Sequence, residues 1–164
     1  MAAIPLAEGE YYLSRSLPEA ELLVPGARIR AEARGAGDVP SFEMETIFPS
    51  YLENAVFPPE EAISLTQPLE VSWDPGSGVE RVTFTVDNFS MSIACLADDM
   101  AGRIVVGADL MQLFPENTNR ILLTLQRCAV EAVDAEELRG VLLFACHSQS
   151  LSVCLLGGPS PTCN

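Results

Sequence analysis

Between Val82 and Cys95 two alternating runs, Val-Thr-Phe-Thr-Val and Phe-Ser-Met-Ser-Ile-Ala-Cys, flank the polar pair Asp87-Asn88. Successive side chains on a strand point to opposite faces, so each run carries one apolar and one polar face, and the polar break between them reads as a tight hairpin. With Asp87 and Asn88 as a two-residue turn, Val86 faces Phe89, Phe84 faces Met91 and Val82 faces Ile93, while Thr83 and Thr85 face Ser92 and Ser90. A slip of one residue would turn every apolar side chain of one strand to the wrong face. A chain with this segment is committed, here at least, to a half-buried antiparallel sheet.

The same two-residue period recurs at Glu10 to Ser14, Ala27 to Ala33, Leu69 to Trp73, Ile104 to Val106, Ile121 to Cys128, Val141 to Cys146 and Leu151 to Leu156. In the second of these, Ala27, Ile29, Ala31 and Ala33 alternate with Arg28, Arg30, Glu32 and Arg34, which gives one buried face and one solvated, charged face. One stretch argues for helix: from Ala108 to Phe114, Leu110, Leu113 and Phe114 share a face and Pro115 stops propagation. Ala129 to Leu138 has apolar spacing too poor for a helical face and reads as loop or a bent strand end. Phe48 to Gln67, with Pro49, Pro58 and Pro59, reads as a long connection across one end of the sheets. The fold expected is all-β: one antiparallel β-sandwich, Ig-like or jelly-roll-like, with a short helix near 108–114. Residues 1–8 would be an N-terminal arm, 9–156 the sandwich, and 157–164 a flexible tail behind Gly157-Gly158-Pro159.

Charge narrows the partners. Nine Arg and no Lys face 23 acids, a formal net charge of −14, so phosphate backbones and anionic membrane surfaces are repelled and nucleic-acid binding is not expected. No apolar run approaches the ~18 residues of a spanning helix, so direct membrane insertion is not expected either. A protein or carbohydrate partner fits this surface; oligomeric state stays open.

The cysteines are Cys95, Cys128, Cys146, Cys154 and Cys163, with no C-x-x-C pair and a single histidine, His147, which argues against zinc. Cys163 lies in the tail. The most local pairing of the rest is Cys146 with Cys154, opposite each other if Gln149 to Leu151 form a three-residue hairpin loop. Buried free thiols are the alternative; a disulfide would imply an oxidising compartment.

Few residues invite chemistry. His147 sits between Cys146 and Ser148, but strand neighbours point to opposite faces, so it reads as an exposed strand residue near a hairpin loop. A small hydrolase would need His147 brought to an acid such as Asp134 by folding. Asp98 and Asp99 offer hard oxygen ligands for calcium on a turn, although Asp and Asn are common in turns for their local hydrogen bonds. Glu43 and Glu45 share a strand face and read as solvated charge. Trp73 shares the face of Leu69 and Val71 and reads as core.

The order Leu-Glu-Val-Ser-Trp-Asp-Pro-Gly at 69–76, the hairpin, Cys95, Asp98-Asp99, Gly102-Arg103-Ile104-Val105-Val106 and Leu-Met-Gln-Leu-Phe-Pro resembles uncharacterised bacterial extracytoplasmic β-sandwich modules of cell-envelope lipoproteins and surface proteins. The resemblance implies a non-catalytic binding or structural module, with recognition by end loops such as Phe48 to Gln67 or the acidic turns, and an extracytoplasmic location. It transfers no catalytic residues. The start of the chain lacks the basic and apolar regions of a signal peptide and any lipobox cysteine. The rival readings are a calcium-stabilised adhesion or assembly domain using Asp98 and Asp99, and the hydrolase built on His147.

Overall fold

The computed structural model describes residues 3–7, 10–13, 24–33, 41–77, 79, 81–132 and 142–155. In chain order the strands are β1 (Ala3–Ala7), β2 (Glu10–Leu13), β3 (Arg28–Ala33), β4 (Phe42–Ile47), β5 (Leu69–Ser72), β6 (Arg81–Asp87), β7 (Ser92–Asp98), β8 (Arg103–Val106), β9 (Arg120–Ala132) and β10 (Leu142–Cys154). A single turn of helix, α1 (Ala108–Met111), follows β8. Every pairing is antiparallel: a four-stranded sheet in the order β10-β9-β6-β7, and the pairs β1-β2, β3-β4 and β5-β8. No sheet closes into a barrel among the described residues. Ala3–Ala7, expected as part of an arm, is a strand paired with β2; residues 157–164 lie outside the described residues.

The core follows the two-residue period. Val82, Phe84 and Val86 of β6 and Ile121, Leu123 and Leu125 of β9 bury one face of the large sheet, and Leu69, Val71, Trp73, Ile104 and Val106 of the β5-β8 region join the same cluster. Full burial of a side chain such as Phe84 contributes about 1.5–3 kcal/mol, which sets the face each strand turns inward. Trp73 is core, as expected. A smaller cluster of Phe48, Ala129 and Ala145 joins the β3-β4 hairpin to the far half of β9-β10. There Ala129 and Ala145 pair directly, and their small side chains let β4 approach. Arg28 and Arg30 lie on the solvated face, where they pair across the strands with Glu45 and Glu43.

The β6-β7 hairpin keeps the expected faces in a different register. Val86 pairs with Ile93, Phe84 with Cys95 and Val82 with Ala97, so the loop holds Asn88 to Met91 rather than two residues. A slip by an even number of residues leaves every side chain on its own face, so alternation alone does not choose between these registers. The turn chemistry does. Asn88 Oδ1 accepts from the amides of Ser90 and Met91 and from Ser90 Oγ, and Asp87 Oδ1 accepts from the amide of Phe89 at 2.7 Å, with Phe89 at φ 69°. Side-chain acceptors replace the backbone bonds of a two-residue turn.

Two further expectations give way. Val141 to Cys146 and Leu151 to Leu156 are not two strands around a loop; Leu142–Cys154 is one strand of 13 residues paired along its length with β9. Ser148, Ser150 and Ser152 point outward, while His147 and Gln149 point inward and find backbone partners there. With no Gly or Pro in that span, nothing interrupts the strand. The helical face is also shifted: Met111 and Phe114 are buried, whereas Leu110 and Leu113 are exposed. In one turn of helix only an i, i+3 pair can share the buried side. Of Ala129 to Leu138, the strand takes residues up to Ala132, and the remainder lies outside the described residues.

Replacing Asn88 by Ala removes three accepted hydrogen bonds from the loop. We expect a loss of about 1 kcal/mol, read as a lower urea midpoint with an unchanged slope; an unchanged midpoint would mean that the loop geometry does not depend on this side chain.

Candidate functional site

The densest polar constellation is centred on Arg127, the fourth residue of the buried series Ile121, Leu123, Leu125 and Arg127 on β9. It is 0% exposed. All five of its N–H groups are used. Nε and Nη2 donate to Asp99 Oδ1 at 3.2 and 2.8 Å, Nη2 donates to the carbonyl of Asp74 at 2.7 Å, and Nη1 donates to the carbonyl of Tyr51 and to Ser50. One guanidinium therefore ties β9 to three other segments: the connection after β4, the stretch after β5 and the turn after β7.

Local chemistry puts Asp99 in place. At the end of β7, Asp98 accepts from the amide of Met100 and caps a 3-10 turn over Asp99–Ala101, which Gly102 ends with φ 63° and an amide bonded to the Asp99 carbonyl. The turn swings Asp99 inward, where it is 1% exposed. Besides Arg127, its Oδ1 accepts from Trp73 Nε1 at 2.9 Å and its Oδ2 from the amide of Gly76 at 2.8 Å. Gly76 packs directly over the guanidinium: an added Cβ would lie 2.5 Å from Arg127 Cζ. Asp98 and Asp99, the calcium candidates, are thus turned to different tasks, one capping a turn and the other balancing a buried cation. No group of three or more His, Cys, Asp or Glu residues suited to a metal ion occurs among the described residues.

The connection from Phe48 onward is held against the sheet rather than looping free of it. Phe48, Leu52 and Ile63 are buried. The Leu52 amide donates to His147 Nδ1 at 3.0 Å and its carbonyl accepts from Gln149 Nε2 at 2.6 Å, while Glu60 Oε1 accepts from the Cys154 amide. His147, expected to be exposed near a loop, is half-buried in mid-strand and packs on Tyr51 with ring centroids 4.9 Å apart. Its ring nitrogen serves a backbone amide, and no carboxylate pairs with it among the described residues. Asp134 lies outside the described residues.

The disulfide expectation needs correction. Cys146 is bonded to Cys128, directly across the β9-β10 ladder with Cα atoms 4.1 Å apart. Cys154 lies eight residues further along the same strand, beyond the reach of any disulfide; it is itself disulfide-bonded, though not to Cys146. Cys95 is a half-buried free thiol on β7, its pKa raised by burial.

Away from this closed network lies an open groove of about 590 Å³ between β4 and the far half of β9. Ile47 and Val130 flank it, Thr46, Val79 and Ala129 line it, and Glu45, Glu131 and Arg81 stand around it. Beside it the outer face of β9-β10 turns apolar, with Val130, Leu142 and Phe144 all about half exposed. Sequence reading passed over both features. The signal for Arg127 was its place on the apolar parity of β9; that for the groove was Val130 and Phe144 on the face that Thr124, Ser148 and Ser150 make polar. No protein-family model, curated protein or solved structure matches this chain.

Arg127→Met leaves the Asp99 carboxylate buried without its cation and should cost about 3–5 kcal/mol. Adding Asp99→Leu should recover only part of this, because the carbonyls of Ser50, Tyr51 and Asp74 remain without their donor. A urea double-mutant cycle measures both, and full recovery in the double variant would contradict the multi-segment role.

Burial, and after it the charge of Arg127, lowers the His147 pKa from its ordinary 6.5. The unfolded chain therefore takes up this proton before the folded one, so the contribution of His147 is intact above about pH 6.5 and declines as pH falls below it. Protonation would also set an N–H against the Leu52 amide. The difference in melting temperature between the parent and His147→Gln should consequently change between pH 7.5 and 5.5, the parent losing more; parallel curves would refute the assignment.

Proposed function

We propose that this chain is a non-catalytic binding module of an exported or envelope-associated bacterial protein, with its two principal sheets packed as a β-sandwich around one core. The shared cluster of β5, β6, β8 and β9 supports the layered arrangement, and the Cys128–Cys146 bond is in keeping with an oxidising compartment.

The observation that carries the reading is the division of labour between the two polar regions. Around Arg127 the polar groups serve the fold: five guanidinium donors, both Asp99 oxygens and His147 Nδ1 are bonded within it. A catalytic group needs a free lone pair or proton facing a space that a substrate can enter. The groove supplies the space, but among the described residues its lining contains no histidine, serine or free thiol. A concave surface flanked by exposed apolar side chains, in which Glu45 is engaged by Arg28 and Thr46 is buried, is suited to recognition. Recognition is assigned to this end of the hairpin rather than to the Phe48–Gln67 connection, whose buried anchors hold it inward.

The hydrolase reading gives a direct test. With ester, peptide and glycoside substrates, the oxidised chain should give no turnover that His147→Gln removes. Turnover abolished by that substitution, with the circular dichroism spectrum unchanged, would overturn the proposal.

A further inference from the structure

Resting on the binding-module reading, we infer that the groove takes an extended, amphipathic and net-cationic peptide segment from a partner protein, which adds as a strand to the free edge of β9.

The edge follows from the register. β6 pairs with β9 only from Leu122 to Arg127, whereas β10 pairs with it as far as Ala132. Beyond Cys128, no strand among the described residues takes the side of β9 that β6 leaves. The Cα separation of 4.1 Å across Cys128–Cys146 marks a narrow, non-hydrogen-bonded pair. The backbone N–H and C=O of Val130, two residues on, therefore point away from β10 and toward the groove. An incoming strand finds there the hydrogen-bonding template of an exposed sheet edge.

Side chains fix the chemistry of the occupant. Alternate residues of the added strand would lie beside Val130 and Phe144, which pair with each other on the outer face and are 51% and 56% exposed; these positions should be apolar. The intervening residues would face the groove, where Glu131 has no cationic partner among the described residues, while Glu45 is already paired with Arg28. A Lys or Arg opposite Glu131 satisfies that charge. Arg81, at the end where β6 begins, is the one cation in the lining among the described residues, so a second basic residue of the segment belongs at the Glu131 end or outside the groove.

Charge also decides between kinds of partner. A second copy of this chain would bring its own net −14 against the first and set Glu131 near Glu131. A cationic segment is drawn in by the same field, and its association rate should fall as salt rises.

The test is selection of 12-residue peptides from a displayed random library on the oxidised full chain, followed by affinity measurement with synthetic peptides. We expect enriched sequences in which apolar residues alternate with Lys or Arg. Glu131→Arg should weaken their binding at least threefold and Phe144→Ser about tenfold. Val130→Pro, which removes the edge N–H without removing a bond to β10, should weaken it at least tenfold, and Leu113→Ser, on the exposed side of the α1 region, should leave it unchanged. If Val130→Pro does not fold, the other two variants carry the test. Enriched peptides that bind equally well to the Glu131 and Phe144 variants would overturn the groove assignment and leave the binding-module reading standing. Absence of enrichment, enrichment of acidic peptides, or sedimentation showing dimers broken by Phe144→Ser would each overturn the inference. The binding-module reading falls on different evidence, the His147-dependent turnover described above.

Discussion

The contact between Arg127 and Asp99 is the joint on which the arrangement of segments depends. A buried ion pair by itself is weak evidence of stability, because desolvating two charges offsets most of their attraction. What matters here is how many separate pieces of chain the two groups satisfy. The guanidinium takes carbonyls from residues 51 and 74 and a carboxylate from residue 99, and that carboxylate in turn takes the Trp73 indole and the Gly76 amide. Only scattered backbone bonds, such as Trp73 to Gly102 and Asp74 to Glu53, tie these segments to one another, so their remaining buried backbone groups need side-chain partners. An apolar substitute could fill the volume, but it could not answer those carbonyls.

This explains how a connection with three prolines is held against a sheet. Phe48 still bonds the backbone of Gly26 and Ala27 beside β3, and Ser50 bonds Ser77; beyond them the carbonyls of Tyr51 and Leu52 and the Leu52 amide are taken by Arg127, Gln149 and His147 from β9 and β10. The two long strands thus carry a polar row on their inner face, between the apolar halves that face the main and smaller cores. His147 belongs to this row. Its neutral form is useful because it accepts, and burial first, then the nearby guanidinium charge, favours that form.

How much of this was legible follows from the same distinction. Alternation specified which faces are buried, and that reading survives at β3, β5, β6 and β9, because hydrophobic burial acts residue by residue and is written locally. Register was not legible in the β6-β7 hairpin: shifts of two residues per strand are indistinguishable by parity, and the choice rests on what Asn88 can accept. Ser148-Gln149-Ser150 looked like a loop because the partner of Gln149 is Leu52, 97 residues away in sequence. Cys146 and Cys154 were joined in expectation by that same imagined loop; once the strand is continuous, the facing residue is Cys128. The one warning in the sequence was Arg127, a charge on an apolar parity, which in a sheet signals either a functional residue or a buried pair. Asp99 gave no such signal beside Asp98, since only the 3-10 turn separates their directions.

The groove poses the opposite problem, an apolar surface left outside. Along the outer face of β9-β10 the side chains change character at the Cys128–Cys146 bond: Thr124, Ser148, Ser150 and Ser152 lie on one side of it, Val130, Phe144 and Leu142 on the other. A strand edge that no strand covers among the described residues, next to exposed apolar side chains, invites pairing with other copies of the chain, and natural sheets often blunt such edges with lysine. This chain has no lysine; its protection is the net charge of −14, which every copy carries. Like-charge repulsion disfavours close approach of two copies without placing a charge in the edge itself. Under the strand-addition proposal, the acidity that discourages self-pairing is also the property that would select a partner of opposite charge.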